Sequence, residues 1–146
     1  MPLEMLFSIA GAVAMTGWLA LAVVPLRYGV PRLIAVSIAL AIAMLYSALI
    51  GVFWSQGRGG FSSLAEVARL FVLPGLLLAG WVHYLAFDLL VGVWERGEAH
   101  RIGLPQWVLV PCLLLTFFFG PLGWLLFMAV RAFRLRTATQ PLPAMP

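Results

Sequence analysis

The sequence predicts an all-α integral membrane bundle of four transmembrane helices, with a short interfacial helix before the third. Three observations carry this expectation. Hydrophobic residues fill 64% of the 146 positions and charged residues only 10%. Mean hydropathy is +1.06, whereas a soluble domain is about 45–50% apolar and about 25% charged. A chain of this size has no single core large enough to hide that excess. The apolar residues also fall into four runs of about 20, the length that crosses a hydrocarbon layer about 30 Å thick.

The first run, 5–24, stops at Pro25. It follows "MPLEMLF", which holds Glu4 and no basic residue. The run exceeds the ~7–15 residues of a signal-peptide core, so it reads as a retained span. The second run, 33–54, carries no charge. After it comes "SQGRGGFSSLAEVARLFVLPG", where glycines break the chain and Ser63 to Glu66 fits a capping box. Glu66 and Arg69 have the spacing of a helix-surface pair. A short amphipathic helix is therefore expected here, feeding through Pro74 into the third run, 74–94. The fourth run, 107–130, closes at Arg131, with Pro111 and Pro121 expected to bend it. Residues 1–136 make one domain, and the proline-rich tail, 137–146, reads as disordered.

The first and third loops echo each other, as Arg27-Tyr28-Gly29-Val30-Pro31 and Arg101-Ile102-Gly103-Leu104-Pro105. In both, Gly is expected to cap one helix and Pro to open the next.

All nine basic residues are Arg and the net charge is +4. They flank apolar runs and form no basic tract, which excludes a nucleic-acid footprint. On a four-span reading, Arg58, Arg69, Arg131, Arg134 and Arg136 share one face, and Arg27, Arg32, Arg96 and Arg101 the other. The tail cluster favours N-in, C-in under the positive-inside rule. The Lys-free, Ala- and Leu-rich composition points to a bacterial inner membrane. Trp54, Trp94 and Trp107 lie at span ends, as an aromatic belt would place them, while Trp18, Trp81 and Trp124 lie deeper as packing residues or cavity walls. The lone Cys112 permits no intrachain disulfide and reads as a small buried hydrophobe.

The third run, "GWVHYLAFDLLVGVWE", carries the polar groups. On a helix, Tyr84, Asp88 and Glu95 share a face, and His83 points roughly 140° from Asp88. Glu95 reads as a solvated charge at the water boundary. Asp88 lies about 9–11 Å further in, where a carboxylate costs about 2.5–3.5 kcal/mol unless paired or protonated. Two explanations stand side by side: a functional site, or hydrogen bonding between helices with Arg27, Arg32, Arg96 or Arg101 reaching down. These groups do not converge on one ion, and the other spans add no histidine or carboxylate. No metal or cofactor is therefore expected, and a histidine-rich di-iron oxygenase is excluded. A buried acid, a histidine and a phenol are the parts of cofactor-free proton transfer on a lipid-soluble substrate. A transporter ranks last, because the first two spans are poor in hydrogen-bonding side chains.

The stretch "GWVHYLAFDLLVGVWE" followed by "GLPQWVLVPCLLLTFFFGPLGWLLF" resembles the abscisic-acid-deficient-four-like family. The resemblance covers about 61–131 and rests on His83, Asp88, Gly92, Pro111, Gly120 and Pro121. It implies a four-span membrane protein linked to conversion of violaxanthin, a carotenoid epoxide, into the allenic neoxanthin. That reaction is an isomerisation without net redox. The resemblance makes Asp88 the acid and His83 the base, with substrate contacts at Tyr84, Trp81, Gly92 and Trp124. The expected partners are membrane lipid, a carotenoid, and further copies of the chain or other membrane proteins. The alternative is a non-catalytic pigment- or lipid-binding assembly subunit, with Ala10 and Ala14 or Ala39 and Ala43 as small-residue helix contacts.

Overall fold

The computed structural model describes residues 2–138, and among them every regular element is helical. Helix α1 is Leu3–Val23, and α2, Val30–Phe53, ends in a 3-10 turn, Trp54–Gln56. Then come α3 (Leu64–Val72), α4 (Pro74–Arg101), α5 (Gln106–Phe119) and α6 (Pro121–Ala138). The tail expected to be disordered lies outside the described residues from position 139 onward. Its first two positions belong to α6.

Prolines punctuate these elements as their geometry requires. Val24 is extended because Pro25 follows it, and Pro31 sits in the first turn of α2, where no N–H is needed. Leu73 is extended ahead of Pro74, so the proline begins α4 and does not kink a longer helix. The predicted interfacial helix is α3. Its Ser63 side chain accepts from the Glu66 N–H at 3.3 Å, while the Glu66 carboxylate accepts from the Ser62 hydroxyl.

Among the described residues, three helices are long and apolar enough to cross a membrane: Leu3–Val23, Val30–Gln56 and Pro74–Arg101. The expected fourth span does not exist as one helix. It is split at Gly120, whose φ of +42° is a conformation that L side chains avoid. Helix α5 has 14 residues, about 21 Å, too short to cross. The chain then turns back. Gly123 lies against the Thr116 backbone, where any Cβ would collide. Further along, Phe127 packs its ring against Trp94 at 5.5 Å. Arg131 bonds to Glu98 at 2.5 Å, and Arg134 reaches the Gly103 carbonyl at 3.4 Å. Helices α5 and α6 are thus a hairpin that enters and leaves at one end of the bundle. The end of α6 lies opposite the start of α1, which removes the geometry behind the N-in, C-in expectation.

Helix α4 is the axis. One core cluster joins Trp18 and Leu21 of α1 to Leu89 of α4, Leu109 and Leu113 of α5, and Phe127 of α6. A second joins Ala10 and Ala14 to Ile42, Leu49, Leu78 and Val82. Gly92 lets Trp18 approach α4 so closely that a Cβ would sit 2.7 Å from the indole. The outer faces are apolar too. Leu40, Met44, Phe118 and Phe133 are 60–71% exposed, a surface suited to lipid and costly in water.

The two echoing loops turn out to be built differently. Gly103 caps α4 in the left-handed region at φ +64°, with Leu104 N–H on the Ala99 carbonyl at 2.8 Å. Gly29 is right-handed at φ −80° and precedes α2. The end of α1 is capped by side chains from elsewhere, described below.

Candidate functional site

Asp88 stands thirteen residues before the end of α4, about 20 Å along the axis. That depth equals the length of α5, so the α5–α6 turn arrives beside it. A Cβ on Gly120 would lie 2.9 Å from Asp88 Oδ1, which shows how tightly the carboxyl is seated on the turn. Asp88, Val91, Gly120, Pro121 and Trp124 line a groove of about 210 Å³. Asp88 Oδ2 is buried and accepts no hydrogen bond from the protein.

Tyr84, one turn earlier, donates its hydroxyl to the Phe117 carbonyl at 2.8 Å, and its oxygen adjoins Asp88. That carbonyl is one of those left free where α5 ends, so Tyr84 ties the turn to α4. Its single hydrogen is then spent.

His83 is not part of this arrangement. It is exposed, stacks on Phe87 at 4.6 Å and lies 5.3 Å from the Tyr46 ring. It lines a separate groove of about 400 Å³ with Tyr46, Trp54, Phe61 and Phe71. Of the residues expected to contact substrate, Trp124 shares the Asp88 groove, and Tyr84 borders it through Asp88. Trp81 packs between Phe7 and Tyr84, and Gly92 faces Trp18. Among the described residues, no three His, Cys, Asp or Glu side chains gather where a metal ion could be held.

Glu95 corrects the expectation of a solvated charge. It is fully buried, because α4 runs on to Arg101 and the hairpin covers this face. Its Oε1 accepts from Thr116 at 2.9 Å, and its Oε2 has no partner. Arg96 does not reach Asp88 either. It is 3% exposed and turns to α1, donating to the carbonyls of Leu21, Val24 and Pro25 at 2.7–2.9 Å and of Tyr28 at 3.4 Å. Gln106 adds bonds to the carbonyls of Ala22 and Val24. These groups satisfy the free end of α1, a role that spacing within one run does not reveal. The signal available was the proline at 25, which ends the helix without a capping glycine.

A family model described as ABA DEFICIENT 4-like matches residues 5–127, most of the chain. No curated protein and no solved structure matches it.

Proposed function

The chain belongs to the ABA4-like family, and from that premise we propose that it is a multi-pass membrane protein acting as an isomerase on an oxygenated carotenoid or related isoprenoid. The observation that carries this reading is the unpartnered Asp88 oxygen at a helix break in mid-bundle. Broken helices deep in a membrane are tolerated where they line a site, and their ends supply directed polar groups there. The groove beside Asp88 is large enough for the end group of a long substrate whose polyene would lie along the apolar exterior.

For an epoxide the chemistry balances within the substrate. Asp88 gives its proton to the epoxide oxygen as the C–O bond opens. The carbon beside the opening bond loses a proton, its electrons form the new double bond of an allene, and the oxygen stays as a hydroxyl. Once it has donated, the Asp88 carboxylate is itself the nearest base for that proton. The cycle returns Asp88 to its starting state and needs no contribution from His83, which faces the other groove. Tyr84 ties the turn to α4 beside the carboxyl.

Expression in cells that make epoxy-carotenoids tests this reading. Wild type should yield a new pigment isomer, Asp88→Asn none, and His83→Ala the same isomer as wild type. Identical pigments with and without wild-type protein, at confirmed membrane levels, would overturn it.

A second reading, a pigment-binding or assembly subunit without catalysis, is favoured by one feature. Asp88 sits at the N-terminus of α6, where a negative group stabilises the helix whatever else it does. Purified protein carrying intact pigment, with no conversion in cells, would select it.

A further inference from the structure

At the end of the bundle where α1 turns into α2, a pocket of about 200 Å³ is lined by Arg27, Tyr28, Gly29, Arg32, Arg96 and His100, among others. No carboxylate lines it. The two acidic residues adjoining it in sequence are engaged elsewhere: Glu95 accepts from Thr116 on another face of α4, and Glu98 is held by Arg101 and Arg131. Arg96 forms the inner wall with a buried guanidinium whose four hydrogen bonds all go to backbone carbonyls, so its charge meets dipoles and no counter-ion. A buried cation without an opposite charge is an electrostatic deficit that an anion nearby would offset. Arg27 lies over its neighbour Tyr28, bonded to the phenol at 3.0 Å, and Arg32 is exposed one turn into α2. One Arg27 N–H is committed to the phenol, and the rest of that guanidinium, with Arg32, can fork onto an oxyanion.

We propose that this pocket binds a phosphate group, supplied by the headgroup of an anionic phospholipid. Guanidinium pairs match phosphate oxygens in two-point geometry. Basic pockets between helices at a membrane surface hold anionic headgroups in this way. The pocket lies at the same end as the close of α4 and the return of α6, so a bound lipid would brace the α1–α2 turn against α4. The proposal is independent of any chemistry at Asp88 and rests on the membrane reading alone.

The test uses the full chain purified in mild detergent, with phosphatidylglycerol and phosphatidylcholine offered in equal amounts and retained lipid measured by native mass spectrometry. Wild type should retain phosphatidylglycerol at least fivefold over phosphatidylcholine. Arg27→Gln with Arg32→Gln should lose that preference, and Arg58→Gln with Arg69→Gln, which removes equal charge at the opposite end, should keep it. Displacement by millimolar inorganic phosphate would assign the site to phosphate as such. Retention despite it would assign the site to the lipid headgroup. Equal retention of the two lipids by wild type, or an unchanged preference in the Arg27–Arg32 variant with an unchanged melting temperature, would overturn the proposal.

Discussion

Arg131 Nε donates to Glu98 Oε1 at 2.5 Å, across thirty-three residues of sequence. The pair clamps the returning arm of the hairpin to α4. Glu98 also accepts from Arg101 at 2.6 Å, so one carboxylate gathers two arginines from different helices. Both members of the long-range pair are mostly covered, with side chains 29% and 10% exposed. A double-mutant cycle of Arg131→Ala and Glu98→Ala should therefore give a coupling of about 0.5–1 kcal/mol, at the upper end for surface pairs and falling as salt rises. A coupling indistinguishable from zero at low salt would mean that the two helices are not held together here.

The hairpin redraws the charge map. Because α6 returns to the end where α5 begins, Arg27, Arg32, Arg96, Arg101, Arg131, Arg134 and Arg136 gather at one end, leaving Arg58 and Arg69 at the other. The counts become seven against two, and the positive-inside rule then predicts that the seven-arginine end faces the cytoplasm with the N-terminus outside. A fluorescent reporter fused after α6 should fold and fluoresce, and cysteines placed in the 57–63 linker should react with an impermeant thiol reagent added from outside. Linker cysteines protected in intact cells but labelled after lysis would reverse the orientation.

Two glycines make the hairpin possible, for different reasons. Gly120→Ala should destabilise by about 1–3 kcal/mol, since alanine must adopt the positive φ and crowd the Asp88 carboxyl. Gly123→Ala should cost more, because the obstacle is the Thr116 backbone, which has no rotamer to yield. Thermal unfolding in detergent would rank them. A Gly123→Ala protein as stable as wild type would show that α6 does not lie on α5.

What could be read from the sequence follows from what each signal measures. The first three spans are written in uninterrupted apolar length, and α3 in the Ser63 cap. Run length is blind to direction, so the α5–α6 hairpin passed for a single span. The clue was nonetheless present at Gly120-Pro121. The glycine-then-proline logic applied to the two echoing loops holds here as well, and it is Gly120 that adopts the positive φ, as Gly103 does and Gly29 does not. Glu95 and Arg96 were misplaced for a related reason. Charges near the end of an apolar run look solvated, but their burial is decided by the α1 terminus and the hairpin, both remote in sequence. Asp88 stood out from the start, because a carboxyl well inside an apolar run is conspicuous wherever the neighbouring helices lie.

Arg96 should be among the most sensitive positions in the chain. Its fork serves four carbonyls at the end of α1 and in the turn after it. Arg96→Met would remove all of those bonds, leaving the Val24 carbonyl only Gln106 and the Pro25 carbonyl only the Tyr28 N–H. The expected loss is about 3 kcal/mol or more, given that bonds to a charged donor contribute about 1.5–3 kcal/mol each and do not add fully. Arg96→Lys should recover only part, since a compact ammonium cannot span the same set of acceptors. Full recovery by lysine, in melting temperature and in expression, would show that charge alone matters at this position.

The two explanations for Asp88 part company at a single substitution. Asparagine keeps the volume beside Gly120, but it carries no acidic proton. Asp88→Asn should therefore melt near the wild-type temperature while losing pigment conversion entirely. Tyr84→Phe should behave in the opposite sense. It strands the Phe117 carbonyl and costs about 1–3 kcal/mol, yet leaves the carboxyl in place, so the surviving folded protein retains conversion at a reduced level. Measuring melting temperature and pigment profile on the same preparations separates the roles. An Asp88→Asn protein that converts pigment as wild type does would leave Asp88 as a group packed against the start of α6 and remove it from the chemistry.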